Sequence, residues 1–217
     1  MMTPIVYVET NWLIALLFPH DGHHDGAMEL FGRMSSGECE LRIPRIAFIE
    51  ARWTMMSTNN ELQVTITKLK DAFLRGYRNG VDDLREGEAA LASSAVTGYL
   101  QRDLRPLLDG LVSNPDVRQF SDPTAEVEAI GVLRWELKLR ATDVKDLYVF
   151  TAILADRAKQ SPARPAIFMS TNKNEFKPGP TSKAKVPDRV YETNRLLFRE
   201  SFDDLPTAVG RWDAQFS

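Results

Sequence analysis

Hydrophobic positions along the chain follow two habits. Ile5-Val6-Tyr7-Val8 and Ala166-Ile167-Phe168-Met169 are unbroken apolar runs, which suit strands buried on both faces, as in a parallel sheet. Between them, apolar residues mostly recur at steps of three and four, the period of a helix with one buried face. The first run passes straight into Glu9-Thr10-Asn11 and a second apolar stretch, Trp12 to Phe18, stopped by Pro19. Thr10 or Asn11 is expected to cap that helix by accepting hydrogen bonds from its first N–H groups. Ala27, Leu30, Phe31 and Met34 make a helical stripe ending near Gly37, and Leu41-Arg42-Ile43 is at most a short strand. Pro44 is expected to open a helix whose apolar face is Ile46, Ile49, Trp53 and Met56, with Glu50 on that same side.

From Glu61 to about Val112 the pattern predicts two helices, the first marked by Leu62, Ile66, Leu69, Phe73 and Tyr77 and ended by Asn79-Gly80. Val117 to Ser121 reads as a short strand, and Pro123 to Arg140 as an amphipathic helix. Leu147 to Ala155 is almost entirely apolar, so the helix that Asp143 and Asp146 open should be enclosed on most sides. Tyr191 to Phe202 and Leu205 to Phe216 are expected to be closing helices. Strands alternating with helices predict an α/β fold: a central, mostly parallel sheet flanked by helices. One domain over residues 1–217, with a helical insertion at about 57–120, accommodates the whole pattern.

Composition narrows the class without naming a chemistry. With 217 residues, 43% hydrophobic and 26% charged, the chain can bury a substantial core. Its formal net charge of −3 offers no global attraction for nucleic acid, so any such binding needs a local patch. Cys39 is the only cysteine, which excludes an internal disulfide and fits a reducing cytoplasm. Glu9 and Asn11 interrupt the first apolar run, which argues against a signal peptide.

The candidate chemistry is acidic and sits at element ends. Glu9 falls where a buried strand meets a helix, at the sheet edge where α/β folds bind ligands. Asp146 lies in the first turn of the enclosed helix, where the macrodipole favours negative charge, while Asp143 suits a cap. Thr171-Asn172-Lys173 follows the second buried run, at the same edge as Glu9. Lys173, Lys177, Lys183 and Lys185 could hold a phosphodiester backbone, and a solvated surface loop reads equally well on charge alone. His20, His23 and His24 cluster, but their spacing matches no zinc pattern and a turn is the plainer reading.

The order of these parts resembles the PIN-domain nuclease family, which includes toxins of bacterial toxin–antitoxin pairs. Val6-Tyr7-Val8-Glu9-Thr10-Asn11-Trp12-Leu13-Ile14 is similar to its opening motif, with Glu9 where Asp is usual. Pro44 through Glu50-Ala51 is similar to its second-acid helix, and Asp146-Leu147-Tyr148-Val149-Phe150-Thr151-Ala152 to its third. Phe168-Met169-Ser170-Thr171-Asn172-Lys173-Asn174-Glu175-Phe176 is similar to its last strand and loop, where Asn172 occupies a position held by Asp or Asn.

The resemblance implies a three-layer PIN-like fold and a Mg²⁺- or Mn²⁺-dependent endoribonuclease. It assigns Glu9, Glu50 and Asp146 to the metal, Asn172 to a metal-bound water or substrate, and Asn11 and Asp143 to supporting places. RNA is the implied substrate, with a small antitoxin and a second copy of the chain as implied partners. The alternative on the same fold is a weak or inactive domain that binds RNA or protein. A phosphatase is a poorer match, because Glu9 stands where such enzymes need a nucleophilic Asp. No phosphate-binding glycine loop or nucleophile elbow is present in the sequence.

Overall fold

The computed structural model describes residues 2–19, 21–54, 105–114, 117–121, 144–179 and 186–216. Strand β1 (Ile5–Tyr7) leads into helices α1 (Thr10–Leu17) and α2 (His24–Ser35), then β2 (Glu40–Pro44). Residues 45–54 are helical, α3. Then follow α4 (Arg105–Ser113), β3 (Val117–Phe120), α5 (Val144–Arg157), β4 (Ala166–Met169) and α6 (Lys173–Phe176). The chain closes with β5 (Pro178–Gly179), β6 (Val186–Pro187), α7 (Asp188–Thr193), β7 (Leu197–Arg199) and α8 (Leu205–Phe216).

Five strands form one parallel sheet in the order β3-β2-β1-β4-β7, while β5 and β6 pair separately. The expected α/β class, with helices flanking a parallel sheet, is what the chain forms. β1 lies at the centre, with Tyr7 opposite Arg42 on one side and Phe168 on the other. That position explains its unbroken apolar run, since Ile5 to Val8 are all fully buried. The chain moves outward from β1 to β2 and β3, then returns to lay β4 and β7 on the opposite side. The order therefore reverses between β1 and β4, and such a switch opens a crevice at the carboxyl ends of the two strands.

On one face, Leu147, Phe150, Ile153 and Leu154 of α5 pack with Ile5, Tyr7, Ala166 and Phe168, joined by Phe176 and Tyr191. α8 packs against β4 and β7 and buries Leu205, Ala208 and Trp212. None of the described helices is long and apolar enough to cross a membrane.

Contacts divide the chain into two compact units, residues 1–49 with 112–217, and residues 50–111. In the second unit, among described residues, Arg52 pairs with Asp109. The expected insertion reaches to about residue 120, yet Val117–Phe120 is an edge strand of the sheet.

Three local expectations change. Pro44 closes β2 instead of opening a helix. Along α3 the buried residues are Ala47, Phe48 and Ala51, while Ile49 and Trp53 are 51% and 68% exposed. Met56 lies outside the described residues. The Tyr191–Phe202 stretch is no continuous helix. α7 stops at Asn194, Arg195 turns left-handed at φ 47°, and β7 follows. Phe198 then sets its ring 5.8 Å from Phe168 and 6.0 Å from Tyr191.

Candidate functional site

Strand alternation builds the site. Side chains two residues apart share a face, so Glu9 follows Ile5 and Tyr7 toward α5, and Ser170 follows Ala166 and Phe168. Both residues lie just past strand ends at the β1/β4 switch, with Glu9 only 4% exposed and Ser170 fully buried. The Ser170 hydroxyl donates to Glu9 Oε1 at 2.9 Å. The Asn172 backbone N–H donates back to Ser170 Oγ at 3.0 Å, and its side-chain amide donates to Asp146 Oδ1 at 3.3 Å. Asn172 is the N-cap of α6 yet makes no side-chain cap there, so its amide serves Asp146 instead. Glu9, Ser170, Asn172 and Asp146 thus form one hydrogen-bonded line across the crevice.

The cap of α1 differs from expectation. Glu9 itself is the N-cap, and its Oε2 accepts from the Asn11 backbone N–H at 2.9 Å. The contact from Asn11 to Glu9 comes from its main chain. Ser170 is the member that sequence reasoning missed, although it lies inside the stretch compared with the final PIN motif. A small polar residue after a buried strand reads as an ordinary strand end.

The other candidates lie on other elements or outside the described residues. Glu50 is half-buried and belongs to the second compact unit. Asp143, Lys183, Lys185 and His20 lie outside the described residues. Lys173 is exposed on α6, and Lys177 pairs with Glu200. His24 Nδ1 donates to the Ala15 carbonyl at 2.8 Å, and the exposed His23 ring meets Phe202 edge-on. A cleft of about 330 Å³ lies against Gly22, His23, Asp25, Glu29 and Phe202, and contains none of the line's residues.

A second polar cluster lies under the other end of α5. Asp156 Oδ2 accepts from the Tyr7 hydroxyl at 2.8 Å, and both its oxygens accept from Arg42 Nη1 at 2.8 Å. Arg42 also pairs with Glu40, which Arg164 holds from the other side. Burial, reinforced by the Asp156 charge, pushes the Tyr7 phenol far up. Burial alone would raise Glu40, but Arg164 and Arg42 hold it below the usual carboxylate range.

The donor chemistry of the first line fits a hard divalent cation. Two carboxylates and a neutral amide oxygen meet the oxygen preference of Mg²⁺, which often takes only one or two carboxylates plus waters. Glu9 Oε1 accepts from Ser170 and Oε2 from the Asn11 N–H, so the carboxylate is held in one orientation at the crevice. Among the described residues, no group of three or more His, Cys, Asp or Glu side chains is gathered to hold a metal unaided. Comparison of the chain with protein-family models, curated proteins and solved structures finds no match.

Proposed function

We propose that the chain is a PIN-like, Mg²⁺- or Mn²⁺-dependent endoribonuclease, with its site at the β1/β4 switch. The observation that carries this reading is the hydrogen-bonded line Glu9–Ser170–Asn172–Asp146. Residues numbered far apart meet at the crevice where α/β sheets bind ligands. They are oxygen-rich, and histidine and cysteine take no part in the line.

Glu9 and Asp146 would hold the metal, with Asn172 presenting its amide oxygen to a bound water or to the substrate. When bound, the cation would lower the pKa of a water and stabilise the departing oxygen. The chain's own work is placement. Ser170 and the Asn11 N–H each fix one oxygen of Glu9, leaving little rotamer freedom. Asn172 ties Asp146, on a helix, to the end of a strand. Glu50 joins the ligand set on the sequence order of the acids alone. Lys173 and Lys177 follow Asn172 closely and would meet a phosphodiester backbone without reading its sequence.

The test is cleavage of single-stranded and structured RNA with Mg²⁺, with Mn²⁺ and with a chelator. Metal-dependent cleavage by the wild type, lost in Asp146→Asn, is the expected result. Equal cleavage by wild type and variant would remove the catalytic assignment. RNA binding without cleavage would favour the binding-module reading.

A further inference from the structure

We propose that the buried Tyr7–Arg42–Asp156 cluster is a positioning clamp, which fixes the seat of α5 on the sheet and so the place of Asp146 beside Asn172, Ser170 and Glu9. The inference rests on reading that edge as a metal site.

α5 is attached to the sheet in three zones. Its first turn reaches the sheet edge through the 3.3 Å contact between Asn172 and Asp146. That bond joins the helix to the short segment that follows β4. The middle of α5 is apolar, with Leu147, Phe150, Ile153 and Leu154 in the core. Apolar burial holds the helix down strongly but has little directional preference. The far end is different. Asp156 takes three directional bonds, one from the Tyr7 hydroxyl and two from Arg42, all at 2.8 Å. Next to it, Arg157 is 3% exposed and donates to the carbonyls of Asn194 and Ser161. This end of α5 is therefore fixed against both sliding and rotation.

Tyr7 and Asp156 each stand at fixed spacing from a site residue. Tyr7 ends β1, and Glu9 follows it two residues on, at the cap of α1. On α5, Asp156 and Asp146 are ten apart, about 15 Å of helix. Locking one end of two rigid elements sets the geometry at the other. Stability alone is a weak reason for such a cluster, since buried ion pairs are often no more stabilising than apolar residues of similar volume. What they add is direction, and a metal site tolerates displacement poorly.

The experiment uses the whole chain, with Tyr7→Phe and Asp156→Asn as clamp variants. Leu30→Ala, in the α2 core, is the purely structural comparison. Two quantities are read on folded protein: Mn²⁺ affinity by titration calorimetry, and hydrogen exchange at the amides of Leu147 to Thr151. The clamp variants should bind Mn²⁺ about tenfold or more weakly, as outer supports of metal sites do, and should exchange faster over that first stretch of α5. Leu30→Ala should lower the melting temperature while leaving both quantities at their wild-type values. Clamp variants that match the wild type in both quantities would overturn the positioning role, as would a Leu30→Ala variant changed just as much. A wild type that binds no Mn²⁺, with faster exchange still present in the clamp variants, would instead remove the metal reading and leave α5 seated as described.

Discussion

Ser170 is the residue on which the site turns. Its hydroxyl donates to Glu9 and accepts from the Asn172 N–H, so one oxygen couples both strand ends. In Ser170→Ala the Asn172 N–H loses its partner and Glu9, buried as it is, loses a donor. We expect a stability loss of about 1–3 kcal/mol, the usual consequence of stranding a buried polar group. RNA cleavage should fall about 10- to 100-fold, the range for residues that support metal ligands. Ser170→Thr keeps the hydroxyl and should retain more of both. Denaturant melts and a single-substrate cleavage assay on the two variants would check this. A second residue, Gly37, sits after α2 with φ +78°, in the left-handed region. Its N–H bonds the Met34 carbonyl, and the next N–H bonds that of Arg33, which closes the helix. Gly37→Ala meets no steric neighbour and should cost about 1–2 kcal/mol, from backbone strain alone; a chemical melt would measure it.

At the scale of elements, burial decided what could be read from the sequence. β1, β4 and the apolar stretch of α5 are enclosed on most sides, so their composition names them without help from neighbours. Glu9, Asp146 and Asn172 were legible because each borders one of those elements. α3 misled because its buried face is built from Ala47, Phe48 and Ala51, with Ile49 and Trp53 outside. Periodicity weighs large apolar residues most, and here two alanines and Phe48 face inward while Ile49 and Trp53 do not. β7 misled because Phe198 follows a helix directly, and the left-handed turn at Arg195 has no glycine to announce it. The Tyr7–Arg42–Asp156 cluster was illegible for another reason. An aspartate near a helix end and an arginine in a strand each read as solvated until tertiary pairing is known. Truncating Asp156 to Ala should destabilise the fold by about 3–5 kcal/mol, because it leaves Arg42 buried beside a void. The triple replacement Tyr7→Phe, Arg42→Met and Asp156→Leu removes the three mutually bonded groups together and leaves Glu40 to Arg164, and should recover much of that loss in a denaturant melt. Recovery of stability without recovery of Mn²⁺ affinity would separate direction from burial.

For the whole molecule, alkaline pH tests how tightly the two faces of the sheet are sealed. Burial pushes the Cys39 thiol up to about 12, and raises the Tyr7 and Tyr191 phenols well above their ordinary value. Released into water, a thiol ionises near pH 8.5 and a phenol near pH 10. As pH rises past those values the unfolded chain sheds protons that the folded chain keeps. The unfolded state then binds fewer protons, so stability falls with pH. The stabilisation from these groups is complete below about pH 8.5 and declines first through Cys39, then through the tyrosines from about pH 10. Each group contributes a slope of up to about 1.4 kcal/mol per pH unit within its window. Melting temperatures between pH 8 and 11 should therefore fall progressively, and Tyr7→Phe should flatten the decline above pH 10, since phenylalanine has no proton to lose. Cys39→Ala should flatten the earlier part, between about pH 8.5 and 10. The two variants act through opposite ends of the curve because the residues differ in intrinsic acidity, although both are buried in the folded chain. A decline unchanged in both variants would mean that water already reaches these groups in the folded chain.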